Sequence, residues 1–210
     1  REREGNFTDM EDFLDRVPIG VEQIDILIRI DAFRFMGKNK RELLWEARFK
    51  LDPIKRTIEQ QMLFREPRKD YELPTLESSL LEDAFDQIEL LGFPLVDPFS
   101  LLENEPDSRV LARDLTTRIG QRVKIFGYLV TRKETSTARG DRMSFGNFVD
   151  LHGEFIDTVH FPQVARDFPF RGRGVYCIEG KVTEEFDCYS VEVDRMEKVK
   201  LVPDARYVEG

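Results

Sequence analysis

From Phe7 to Leu91 the apolar residues recur every three or four positions, whereas from Ile119 onward they alternate with polar ones. The chain therefore passes from helical to strand texture. Thr8 and Glu11 have the spacing of a capping box, and Phe13, Leu14 and Val17 line one face of the helix it opens. Pro18 and Gly20 break that helix. Val21, Ile24, Leu27 and Ile28 predict a second one. Asn39 can cap a third, carrying Leu43, Leu44 and Ala47, which Pro53 ends or kinks. Residues 65–78 are polar, contain Pro67 and Pro74, and read as a linker. Ser79 and Glu82 repeat the capping-box spacing. Leu80, Leu81, Ala84, Phe85, Ile88 and Leu91 then form an amphipathic helix that stops at Gly92 and Pro94. A short helix around Arg109–Leu115 leads into the strands.

The first strand is announced by Val123, Ile125, Gly127 and Leu129 alternating with Lys124, Phe126 and Tyr128. A polar loop from Thr131 to Asp141 follows. Next come a strand over Arg142–Leu151, a turn at His152-Gly153 and a strand over Glu154–Phe161. A short helix from Pro162 to Phe168 precedes the last two strands, Gly174–Val182 and Tyr189–Val199. Five strands with a helix between the third and fourth are the layout of an OB-fold. Gly127 suits a barrel corner, where a Cβ would obstruct the bend. The predicted class is α+β: a helical region over 1–64, a linker over 65–78, a helical connector over 79–118, a five-stranded OB barrel over 119–202 and a tail over 203–210.

Charge adds a direction. The chain has 210 residues and a net charge of -9, which argues against binding nucleic acid through bulk charge. The 13 Lys and Arg of residues 119–202 are matched by 13 Asp and Glu. The excess acid lies in front, and only the barrel can present a local basic face. Phe is abundant, at 17 residues, so most must be core. Cys177 and Cys188 have no metal-ligand spacing; in adjacent predicted strands they could pair, but two buried free thiols in a reducing cytosol are the first reading. No apolar run reaches spanning length and no signal segment opens the chain, so a cytoplasmic protein is expected. The start at Arg-Glu-Arg-Glu, without Met, reads as an excised piece of something longer.

Enzyme chemistry finds few candidates. His152 and His160 lack the spacing of a metal site. Arg171-Gly172-Arg173-Gly174 lacks the Lys-Ser/Thr and strand-to-helix context of a phosphate loop. The scattered carboxylates nominate no set that would converge on metal ions. A binding module is the expectation, with no catalytic residue, metal or cofactor of its own. In an OB barrel the outward face of strands 2 and 3, with the loops after strands 1 and 4, receives single strands. If Phe148 points inward, alternation sends Met143, Phe145, Asn147 and Val149 outward. Phe145 then offers a stacking platform, with Tyr128 and Asn147 as further base contacts. Arg132, Lys133, Arg139 and Arg142, set against Glu134 and Asp141, supply a modest cationic excess for phosphates. Separately, Gln60-Gln61-Met62-Leu63-Phe64 stands at the edge of the linker. There Leu63 and Phe64 could fill apolar pockets of a partner while the Gln60 amide bonds to backbone. The same residues could instead end a helix.

Several ordered blocks resemble one family. Gly120-Gln121-Arg122-Val123-Lys124-Ile125-Phe126-Gly127-Tyr128-Leu129-Val130, Gly140-Asp141-Arg142-Met143-Ser144-Phe145, Phe148-Val149-Asp150-Leu151-His152-Gly153 and Ile178-Glu179-Gly180-Lys181-Val182 resemble the OB domain of bacterial DNA polymerase III alpha subunits. Phe7-Thr8-Asp9-Met10-Glu11-Asp12-Phe13 and Leu27-Ile28-Arg29-Ile30-Asp31-Ala32-Phe33 resemble the end of that family's helix-hairpin-helix region. Leu91-Gly92-Phe93-Pro94-Leu95 resembles the segment leading to its barrel. The resemblance implies a carboxy-terminal, non-catalytic portion of a replicative polymerase whose Mg-dependent catalytic domain lies elsewhere. It also implies single-stranded DNA, a sliding clamp and other holoenzyme subunits as partners, with Gln60, Leu63 and Phe64 where the family carries its internal clamp-binding peptide. Asp31 departs from the family, which usually has Gly there, and the first hairpin of the helix-hairpin-helix pair is absent. The barrel also resembles the anticodon-binding OB domains of class II synthetases, in which a Phe five residues before the Asp ending strand 2 stacks on a base. Phe145 has that spacing from Asp150. A tRNA-binding module and a purely structural packing domain are the alternatives.

Overall fold

The computed structural model describes residues 5–51, 79–137, 139–204 and 206–207. Gln60, Leu63, Phe64 and the linker 65–78 lie outside the described residues. The chain divides into two compact units, Arg1–Gly92 and Phe93–Gly210, so residues read together as a connector over 79–118 fall on both sides of the boundary.

The first unit contains α1 (Met10–Arg16), α2 (Val21–Arg29), α3 (Lys40–Leu51) and α4 (Leu80–Leu91). Its core is Met10, Phe13, Ile24, Ile28, Phe33, Leu43, Ala47 and Leu51, the positions that helical spacing places on facing sides of α1 to α3. Phe13 meets Phe7 and Phe33 edge-on, with ring centroids 5.0 and 4.9 Å apart. The start of α1 falls one residue later than the capping-box spacing suggested. Asp9 is the cap, its carboxylate accepting from the Glu11 and Asp12 amides at 2.8 and 2.9 Å. These bonds, the Asp12 amide first, hold the Asp9 carboxyl below its usual range. Asn39 caps α3 reciprocally: its Oδ1 accepts from the Glu42 amide at 2.9 Å, and Glu42 Oε2 accepts from the Asn39 amide at 3.0 Å. Ser79 occupies the cap position of α4 without a side-chain bond. Asp31, in the turn after α2, takes φ +62°, so the turn keeps a glycine-type backbone although the residue is Asp.

The burial of α4 differs from its sequence pattern. Ala84, Asp86 and Gln87 are buried, whereas Leu80 and Leu81 are exposed. The reason is electrostatic. Arg29 Nη2 lies 2.8 Å from both Asp86 and Glu89, and Lys40 Nζ lies 2.7 Å from Asp83 and 2.6 Å from Asp86. The helix turns its acidic side towards cations that α2 and the start of α3 present. Desolvation pushes the Lys40 ammonium down, but its bonds to Asp83 and Asp86 outweigh that and leave it above its ordinary value.

The second unit is built on β1 (Arg122–Ser136), β2 (Arg142–Val149), β3 (Phe155–His160), α5 (Pro162–Asp167), β4 (Val175–Glu185) and β5 (Cys188–Lys198). The strands close in the order β1-β2-β3-β5-β4, antiparallel except for the β3–β5 pair. Val123, Ile125, Leu129, Phe148, Ile156, Tyr176, Ile178, Val182, Val191, Val193 and Met196 fill the barrel. Leu115, from the 3-10 turn Ala112–Thr117, joins this core. Gly127 is required here because a Cβ would stand 2.7 Å from Phe148 Cβ. β1 runs to Ser136, well into the segment read as a loop, pairing Thr131 with Asn147 and Ser136 with Arg142 after a bulge at Leu129–Thr131. Phe126, outward by alternation, is buried on the outer side of the barrel with Phe99, Leu102 and Val175. Both cysteines are free, but only Cys177 is half-buried; Cys188 is exposed. Cys177 stands opposite Glu197 and Cys188 opposite Glu185, too far apart along the sheet to pair.

Candidate nucleic-acid interface

Alternation in β2 runs as its sequence suggests: Ser144, Gly146 and Phe148 are buried, while Met143, Phe145, Asn147 and Val149 turn outward. Phe145 is 41% exposed. In register, Lys133 of β1 and Val159 of β3 flank it; Thr131 and Asp157 flank Asn147 in the same way. Asn147 Nδ2 donates to Asp157 Oδ1. An apolar ring thus lies on a polar surface, with a cation beside it and an amide–carboxylate pair two residues along.

The other cations are arranged around this face unequally. Arg142 Nε and Arg132 Nη2 approach Glu134 at 3.8 and 3.9 Å. Arg132 also lies 5.8 Å over the ring of Phe170, at the mouth of the barrel rather than on the β2–β3 face. Lys133 makes no ion pair among the described residues, and Arg139 stands in the short loop before Asp141. Tyr128 is half-buried against the Phe99 and Phe126 cluster. Burial raises its phenol above the ordinary value, with Arg173 opposing the shift.

The turn that ends β2 is held by Asp150, 2% exposed. Its carboxylate accepts from the amides of Ala112 and His152 at 2.8 Å and of Glu154 at 3.0 Å. It ties the 3-10 turn ahead of the barrel to the β2–β3 connection. His160 is fully buried beside Phe170, ring centroids 4.7 Å apart. Thr158 Oγ1 donates to the Gly146 carbonyl at 3.0 Å, so at 2.9 Å it accepts from His160 Nε2–H. Nδ1 has no partner among the described residues, and burial pushes the imidazole down to about 4. The histidine is a neutral element of the barrel's packing. Among the described residues no group of three or more His, Cys, Asp or Glu could hold a metal ion, and no helix is long and apolar enough to cross a membrane.

Sequence alternation alone could have found two further residues of this surface. Phe155, 66% exposed, and Asp157 lie on the outward side of β3. Phe186, at the tip of the β4–β5 hairpin, is 96% exposed. Its place between Glu185 and Asp187, midway between two runs of alternating residues, was the available signal.

A closed barrel of this strand order, with a helix between β3 and β4, is an OB-fold, here preceded by a helical unit of helix-hairpin-helix type. Residues 1–43 match the family model of the helix-hairpin-helix motif. The chain is similar to DNA polymerase III subunit alpha of Treponema pallidum (strain Nichols), 27% identical over 179 residues. That similarity covers 77% of this chain but 15% of the relative's length. The resemblance read from the ordered sequence blocks is thus matched by a specific relative. Solved structures that overlap the chain include PriB of Ralstonia solanacearum, 13% identical with a TM-score of 0.30, over 37% of this chain and 95% of that one. The second OB-fold domain of replication protein A from Methanococcus maripaludis is 16% identical with a TM-score of 0.29, over 41% and 91%. Strand order and register define the fold independently of these overlaps.

Proposed function

We propose that the barrel binds single-stranded DNA across the outward face of β2 and β3, as a non-catalytic portion of a replicative DNA polymerase of the polymerase III alpha type. The observation that carries this reading is Phe145, exposed on the face and flanked in register by Lys133. A base can stack on the ring while the ammonium takes the neighbouring phosphate. Asn147 and Asp157 stand where they can bond base edges. Arg139 and Arg142 approach the backbone from the β1–β2 loop, and Arg132 and Tyr128 act at the margin. With a local excess of about two positive charges, binding is weak and salt-sensitive, its log–log slope about -1.4 on a single strand.

In this reading nucleotide addition, with its Mg ions, belongs to another part of the whole cytoplasmic polymerase. Gln60, Leu63 and Phe64 bind the sliding clamp, which keeps the polymerase on DNA while other holoenzyme subunits join it. The resemblance and the position of the peptide between the helical region and the OB domain support this part.

Fluorescence anisotropy with an oligothymidylate tests the first claim. Phe145→Ala should weaken binding roughly tenfold, the loss of one stacked base, without changing the far-UV circular dichroism. An unchanged affinity would remove the stacking role. Preference for tRNA over single-stranded DNA would favour an anticodon-type module, and no binding at low salt would leave a packing domain. Pull-down of the cognate clamp by the chain, abolished in a Leu63→Ala, Phe64→Ala double variant, tests the second claim. No capture by the unmodified chain would reduce the peptide to a helix end.

A further inference from the structure

The outward face of β2 and β3 carries a charge gradient along its length. At one end lie Lys133, Arg139 and Arg142, with Arg132 beside them at the barrel's mouth, offset only by Glu134 and Asp141. The other end is reached by following the ladders. β4 stays paired with β1 only as far as Lys181, and β5 pairs with β3 only from Ser190 onward. The end of the hairpin between them continues as a two-stranded arm, with Glu184 opposite Tyr189 and Glu185 opposite Cys188. Because β5 runs parallel to β3, with Ser190 opposite Asp157, this arm stands beyond the start of β3, next to Phe155 and the β2–β3 turn.

Every charge there is negative. Glu184, Glu185 and Asp187 are exposed on the arm, and Glu154 on the neighbouring turn. No Lys or Arg lies within 151–157 or 183–190. The backbone of the tip is costly as well: Phe186 and Asp187 take φ +53° and +61°, conformations a two-residue hairpin ordinarily gives to Asn or Gly. Glu184 Oε1 accepts from the Asp187 amide at 3.0 Å and secures the turn. The result is an acidic projection standing beyond the start of β3.

Resting on the single-strand reading above, we propose that the β4–β5 arm is an electrostatic stop. It confines a bound single strand to the half of the face nearest the β1–β2 loop. Phosphates approaching Glu184, Glu185 and Asp187 meet like charge within a Debye length, about 8–10 Å at ordinary salt. A strand gains contacts from Arg142 towards Asn147 and then loses by advancing. The footprint is short, at the lower end of the roughly 4–16 nucleotides an OB-fold covers. Phe186, though the most exposed aromatic ring of the barrel unit, stacks on no base because no base is carried to it.

The test is anisotropy with labelled oligothymidylates of about four and about fifteen nucleotides, using the whole 210-residue chain. Glu184→Lys with Glu185→Lys should raise affinity for the long oligonucleotide roughly tenfold at low salt and steepen its salt slope by about one unit. Affinity for the short one should stay as it was. Glu103→Lys with Glu105→Lys, an equal charge change elsewhere on the surface, should leave the long-to-short ratio unaltered. Phe186→Ala should change neither affinity. If the unmodified chain binds and the arm variant keeps the original ratio, or if Phe186→Ala weakens binding, the stop is overturned while the single-strand reading stands. If the unmodified chain binds no oligonucleotide, both fall together.

Discussion

The two units solve the same problem, how to hold a helix or strand in place, with opposite chemistry. In the barrel the interior is largely apolar, and its buried imidazole, His160, is held neutral. In the helical unit an apolar core joins α1 to α3, but α4 is attached through Arg29, Lys40, Asp83 and Asp86. The comparison teaches where each unit should be vulnerable. A barrel sealed by packing responds to volume and to acid, because neither a void nor a buried proton has anywhere to go. A helix held by partly buried ion pairs responds to loss of one partner and to salt.

The largest effect should come from emptying the barrel. Phe148 is fully buried, and its ring lies 5.8 Å from that of Tyr176 and 6.2 Å from that of Phe170. Phe148→Ala should destabilise the second unit by about 4 kcal/mol, read as a fall in the urea midpoint; less than about 1 kcal/mol would mean the barrel can collapse around the gap.

Next in size is acid. The His160 imidazole is depressed from 6.5 to about 4, so between those values the unfolded chain binds the extra proton. Its stabilising contribution is therefore complete above pH 6.5 and is lost as pH falls towards 4, by about 3 kcal/mol at most. His160→Gln should flatten the urea midpoint against pH in that window relative to the unmodified chain. Equal slopes would place the acid sensitivity in other groups.

A smaller loss is expected in the helical unit. Asp86→Asn leaves Arg29 and Lys40 short of a partner and should cost about 2 kcal/mol, less than a fully buried pair because Arg29 remains partly exposed. Raising salt should narrow the difference between variant and parent in thermal melts of the helical signal. The same salt series should leave Phe148→Ala unaffected, which separates the two modes of attachment.

The smallest is a gain. Asp31 sits at φ +62°, and burial raises its carboxyl above the ordinary value. Asp31→Gly should stabilise the turn by up to about 1 kcal/mol. A loss would mean the Asp31 side chain is itself holding the turn.

Much of this was legible from local pattern. The inward Phe148 and outward Phe145 follow from alternation alone, as do the five strands, the short helix after β3 and the Asn39 cap. What misled was always coverage. Thr131–Ser136 read as loop because both faces of that stretch are polar, yet it pairs with β2 residue by residue. Phe126 read as outward and is buried, because Phe99 and Leu102 come back over it. Arg132 and Lys133 are neighbours in sequence, but pairing sends one to the mouth of the barrel beside Phe170 and the other to the face beside Phe145.

The sequence by itself determined periodicity: which residues share a face of a helix or strand, where Gly and Pro interrupt, and that the acid excess lies ahead of the barrel. These are local properties, set by 3.6 residues per helical turn and two per strand repeat. Only the tertiary structure decided which face each element buries, how far β1 continues, and that α4 docks by its carboxylates while Leu80 and Leu81 stay in solvent. It also set the basic and acidic ends of the β2–β3 surface at opposite corners. The physical reason is that burial and electrostatics depend on what arrives from a distant part of the chain, such as Arg29 for Asp86 or β5 for β3, and local spacing carries no record of that arrival.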